Sequence, residues 1–146
     1  MSYGILVTLH LFGALIFVGT VFFEVAMLEG VRRRMSVPVF REVEQAIGER
    51  ARRLMPWVLF VLYSAGVAMA WRYRAALAHP FDSSFATLLT LKILLAFSVL
   101  GHFIRAMTWF ARRQMTQRRM RVIHLSVFCH VVGIVLLAKA MFYARW

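Results

Sequence analysis

The chain is poor in acid, cysteine and proline. Of its 146 residues six are Asp or Glu, against eighteen Lys or Arg, and it has one cysteine and three prolines. The lone cysteine, Cys129, excludes an intrachain disulfide and any cysteine-based metal cluster built from this chain alone. It stands in an apolar run, where inert packing is the expected role. The shortage of acid leaves a formal charge of +12. A charge of that size raises nucleic acid as a partner. The arginines, however, lie between long apolar runs rather than on a basic face. They read as topology signals and contacts to membrane lipids, and no nucleic-acid partner is expected. The first residues show neither a basic n-region nor a small-residue cleavage site, so the first apolar run is expected to be a retained membrane span.

What the chain has in abundance is hydrocarbon. It is 62% hydrophobic with a mean hydropathy of +0.71, which points to a membrane protein. Four apolar runs stand out, at about 3–28, 54–71, 84–110 and 121–144. A helix needs about 20 apolar residues to cross hydrocarbon, and lipid forces each backbone group to find its partner within the segment. The expected fold is therefore all-α, a four-helix transmembrane bundle forming one domain over 1–146. Seven arginines from Arg32 to Arg53 lie between spans one and two, and six from Arg105 to Arg121 lie around the connection of spans three and four. Only Arg72, Arg74 and Arg145 lie on the other side. The positive-inside rule puts both basic linkers in the cytoplasm and both termini outside, which in a bacterial inner membrane means the periplasm. Ahead of span two, Ser36 reads as a cap, and Phe40, Val43, Ile47 and Leu54 recur at helical spacing. This is the pattern of an interfacial amphipathic helix.

Ionisable residues inside spans are costly and mark sites. His10 in span one and Lys92 in span three fall at the same depth in the outer half. As a pair they could move protons or hold a carboxylate, or they could form a structural polar contact. In the inner half, His102 of span three is level with His130 of span four. Two imidazoles on facing helices at one depth suit the axial positions of a haem b. Gly101 and Gly133 would leave room for the porphyrin, Arg105 would pair with a propionate, and Met55 is a second axial candidate. The competing reading of His102 and His130 is a pair of helix–helix hydrogen bonds. The nine methionines lack the clustered spacing of a copper relay and read as packing.

The order of these features resembles the HemJ family of bacterial membrane protoporphyrinogen IX oxidases and the related CopD-like membrane proteins. The resemblance covers nearly the whole chain. It rests on "LVTLHLFGALIFVGTVFF" with His10, on the entrance Arg53-Leu54-Met55-Pro56, and on "LLTLKILLAFSVLGHFIRAM" with Lys92 and His102. It implies a haem-binding four-helix protein that oxidises protoporphyrinogen IX and passes electrons to a quinone or another respiratory-chain acceptor. His10 and Lys92 would be the catalytic residues, with His102 and Met55 as haem ligands. The chain departs from the family in having Ile16-Phe17-Val18-Gly19 in span one and "VIHLSVFCHVV" in the last span. An electron-transfer cytochrome b without porphyrinogen activity, and a CopD-like copper-handling or non-catalytic subunit, are the alternatives. A homo-oligomer or a larger membrane complex is compatible with either.

Overall fold

The computed structural model describes residues 2–144, and all regular structure in them is helical. In chain order, α1 (Tyr3–Phe22) runs without a break through a π-helical turn (Phe23–Leu28) into α2 (Glu29–Arg32). Next come α3 (Val37–Ala70), a short 3₁₀ turn (Trp71–Tyr73), α4 (Arg74–Ala78), α5 (Ser84–Ala111) and α6 (Gln117–Tyr143). Four of the helical segments are long and apolar enough to cross a membrane: Tyr3–Arg32, Val37–Ala78, Ser84–Ala111 and Gln117–Tyr143. Large apolar side chains such as Leu15, Trp57, Phe60 and Leu136 are more than 60% exposed. Hydrocarbon, not water, is the solvent in which such surfaces are stable.

The described chain divides into two compact units, residues 2–70 and 71–144. In the first, α1 packs on α3. The contact is built on Gly13: a Cβ there would lie 3.1 Å from Leu62 Cβ and 3.3 Å from Leu62 Cα. Small residues that let two backbones approach are the usual device where helices associate without a hydrophobic driving force. Phe17, Val21 and Leu28 continue the buried stripe of the α1 segment, and Phe40, Leu59 and Ala65 supply that of α3.

The interfacial helix expected ahead of span two is not a separate element. It is the N-terminal part of the 34-residue α3, which is continuous through Pro56. At 1.5 Å per residue that helix is about 50 Å long, more than the roughly 30 Å of hydrocarbon requires. Ser36 stands at its start, where its carbonyl accepts from Phe40 N at 3.0 Å. Phe40 is 5% exposed and lies under the Arg32 guanidinium at 5.8 Å, so it packs within the unit instead of facing lipid.

In the second unit α5 and α6 form a helical hairpin. Ser83 and Thr116 cap their N-termini, their hydroxyls accepting from Ala86 N and Arg119 N at 3.2 Å. The C-terminus of α5 closes with Gln114 N donating to Trp109 O at 2.8 Å and Arg113 N to Phe110 O at 3.0 Å. This is the double bond of a Schellman-type end, and it forces Arg113 to φ 54°. Glycine holds that conformation without the Cβ penalty. Arg113→Gly is therefore expected to stabilise the protein by about 1 kcal/mol. An unchanged or lower thermal midpoint in detergent would contradict this.

Candidate functional site

Two serines and two histidines in the hairpin form a reciprocal cluster. On α5, His102 Nδ1 is 2.7 Å from the Ser98 carbonyl oxygen one turn earlier. On α6, His130 Nδ1 is 2.7 Å from the Ser126 carbonyl oxygen, again one turn earlier. Across the hairpin, the Ser126 hydroxyl is 3.0 Å from His102 Nε2, and the Ser98 hydroxyl is 3.0 Å from His130 Nε2. The two rings meet at 5.2 Å between centroids, tilted by 56°. A carbonyl oxygen can only accept, so each Nδ1 carries the proton and donates. In the neutral rings each Nε2 is then a lone-pair nitrogen that accepts from the serine hydroxyl of the opposite helix. Serine and histidine each appear twice, four residues apart, which places them on one face of each helix.

The ligand chemistry of the cluster follows from that tautomer. Metal-ligating histidines generally donate the second ring N–H to a carbonyl or carboxylate, which fixes the ring and leaves the other nitrogen free to bond. Both imidazoles are set this way, with only a neutral hydroxyl to displace from Nε2. The donor set therefore fits an iron bond through one imidazole. It does not fit a porphyrin held between the two rings as they stand. Metal–imidazole bonds are about 2 Å long, so two rings on one linear axis have centroids roughly 6 Å apart. A macrocycle also needs an open plane around that axis. Here a Cβ on Gly133 would come within 3.2 Å of Leu95 Cδ1, so Leu95 fills the space that the glycine leaves. Gly101 faces no neighbouring atom within 4 Å.

The serines were not singled out in the sequence. The signal that could have found them is a repeat: Ser98-Val99-Leu100-Gly101-His102 and Ser126-Val127-Phe128-Cys129-His130 share serine, valine and histidine at identical spacing. Each hydroxyl is expected to contribute about 0.6 kcal/mol, and at most roughly 1.7, to hairpin stability. Because the arrangement is reciprocal, Ser98→Ala and Ser126→Ala should lower resistance to SDS unfolding by similar amounts. Loss confined to one of them would contradict the reciprocity.

The other expected site residues lie elsewhere. His10, in the first unit, places Nδ1 2.9 Å from the Leu62 carbonyl oxygen of α3. Gly66 makes room for the ring, since a Cβ there would lie 3.1 Å from His10 Cε1 and 3.2 Å from Nδ1. Its tautomer is fixed in the same way, with the proton on Nδ1. Lys92 is half-buried on α5, in the second unit. Met55 is half-buried on α3, one residue before Pro56. Arg105, expected at a propionate, has its guanidinium carbon 4.6 Å from the Trp109 ring centroid. His79 is exposed, 3.9 Å from an Asp82 carboxylate oxygen, and Lys139 lies over Tyr143 at 5.0 Å. No group of three or more His, Cys, Asp or Glu among the described residues could hold a metal ion. No family model, no curated protein and no solved structure matches the chain.

Proposed function

We propose that the protein is a multi-pass haem b protein of a bacterial inner membrane, an oxidoreductase that bonds iron through Nε2 of His102. The observation that supports this is the locked tautomer: the Ser98 carbonyl fixes the His102 proton on Nδ1, and a displaceable hydroxyl rests on Nε2. A haem supplies one-electron redox chemistry when bound. The protein's part is to hold the imidazole in register. Ser98 does so through its carbonyl, and Ser126 gives up its hydrogen bond when the ligand arrives. His130 keeps its own carbonyl partner throughout. Electrons would pass to a quinone or another respiratory-chain acceptor. In the fuller HemJ-like form of this proposal, protoporphyrinogen IX is the substrate. Its propionates would pair with Lys92. Complementation of a strain lacking its protoporphyrinogen oxidase tests that part: growth without added haem is expected, and failure by a well-expressed protein would reduce the proposal to electron transfer.

One observation favours a second reading, a CopD-like copper site. The 5.2 Å ring separation is nearer to what one bare ion needs between two imidazoles than to what a macrocycle needs. Copper bound at one equivalent by a colourless protein, and lost in His130→Ala as in His102→Ala, would establish that reading and exclude the haem.

A further inference from the structure

The basic end of the α5–α6 hairpin carries a cavity that the haem proposal does not use. It has a volume of about 400 Å³ and is lined by Trp109, Thr116, Arg118, Arg119, Val122 and Ile123. Its lining combines two guanidinium groups with aliphatic and indole surface. Arg119 is fixed there: its Nη1 donates to the Gln114 carbonyl at 2.7 Å, and its guanidinium carbon stacks 4.7 Å from the Trp109 centroid. Arg105 stacks on the same indole at 4.6 Å. Two cations thus share one ring in a stretch without countercharge, since no Asp or Glu follows Asp82 in the sequence. Like charges held together cost free energy, and an anion between them removes that cost. The α6 terminus is not itself the site, because the Thr116 hydroxyl already accepts from Arg119 N.

We propose that this cavity binds the headgroup of an anionic phospholipid in the cytoplasmic leaflet. Arg118 and Arg119 take the phosphate, Arg119 with the guanidinium donors that Gln114 leaves free. Guanidinium forks match phosphate oxygens better than a point charge does. Val122, 60% exposed, meets the start of an acyl chain one turn deeper, beside the buried Ile123. Trp109 sits at the level where indole is favoured, between headgroup and hydrocarbon. The arginine bias places this end of the hairpin in the cytoplasm, where anionic lipid is concentrated. The site is independent of whether a haem is bound.

Native mass spectrometry of the full chain in detergent, with added phosphatidylglycerol or phosphatidylcholine of matched acyl chains, tests the proposal. Phosphatidylglycerol should be retained at least fivefold more than phosphatidylcholine. Arg118→Gln/Arg119→Gln should lower that retention at least fivefold. Arg112→Gln/Arg113→Gln, which removes the same charge from the same linker outside the cavity, should lower it less than twofold. Millimolar inorganic phosphate should leave the lipid bound. Equal losses in the two double variants would show diffuse charge attraction and overturn the site. Equal retention of the two lipids, or displacement by inorganic phosphate, would overturn the lipid assignment. The wild type gives a readout independent of any variant's folding. Hydrogen exchange in residues 116–123 should slow in phosphatidylglycerol nanodiscs relative to phosphatidylcholine nanodiscs, and equal rates would contradict the proposal.

Discussion

Replacing His102 with alanine is expected to abolish the Soret band of the purified protein, while His130→Ala keeps at least half of it. The asymmetry is not visible in the bond lengths, which are the same on both helices. It comes from the assignment of iron to His102. Removing His130 leaves the Ser98 carbonyl in place, so His102 keeps its proton on Nδ1 and its lone pair on Nε2. It also leaves the Ser98 hydroxyl without its imidazole acceptor, a loss worth about 1 kcal/mol or less. Removing His102 would delete the proposed iron bond itself. A band lost in His130→Ala and kept in His102→Ala would move the ligand to α6. A band lost in both would require the hairpin to open around a macrocycle, against the packing of Leu95 on Gly133.

Gly13→Leu should have the largest effect in the first unit. The nearest atoms to a Cβ at this position include Leu62 Cα at 3.3 Å, which belongs to the α3 backbone and cannot swing aside. Gly13→Ala alone is expected to cost about 1–3 kcal/mol through overpacking. The three further carbons of leucine must push α1 off α3. His10 lies three residues earlier and bonds the carbonyl of the same Leu62, so its imidazole would lose its anchor together with the packing. The expected outcome is a failure of Gly13→Leu to yield monodisperse protein in mild detergent. Gly19→Leu, at an exposed position with no neighbour within 4 Å, should purify as the wild type does. Equal yields of the two would show that the close approach of α1 and α3 is not needed for folding. At Gly66 the clash falls on a side chain instead, so Gly66→Ala should fold and release His10 from Leu62, seen as a shift of the His10 imidazole NMR signal.

The four spans were legible because length and apolarity are sufficient where lipid leaves the backbone no alternative to a helix. The helices extend beyond the apolar runs. The first apolar run ends at about 28, and its helical segment continues to Arg32. The apolar run from 54 lies on a helix that begins at Val37, because Glu42 to Arg53 lower hydropathy without lowering helix propensity. The π turn at Phe23–Leu28 has no sequence signature, since a change from i→i+4 to i→i+5 bonding requires no particular residue. It shifts the angular register of the residues after Phe22 relative to those of α1. In the site, equal depth along two antiparallel helices was enough to pair His102 with His130. It could not show that each ring would lean on its own helix's serine carbonyl. Side-chain closure between rings depends on rotamers, not on spacing. The same limit hid Leu95 in the gap at Gly133, and the cation–π stack that takes Arg105 to Trp109.

The most direct test is an optical spectrum, oxidised and dithionite-reduced, of the full chain purified from haem-replete cells, with metal content measured on the same sample. A Soret band that shifts on reduction, b-type α and β bands, and iron near one equivalent per chain are expected. A colourless protein without iron would contradict the haem proposal.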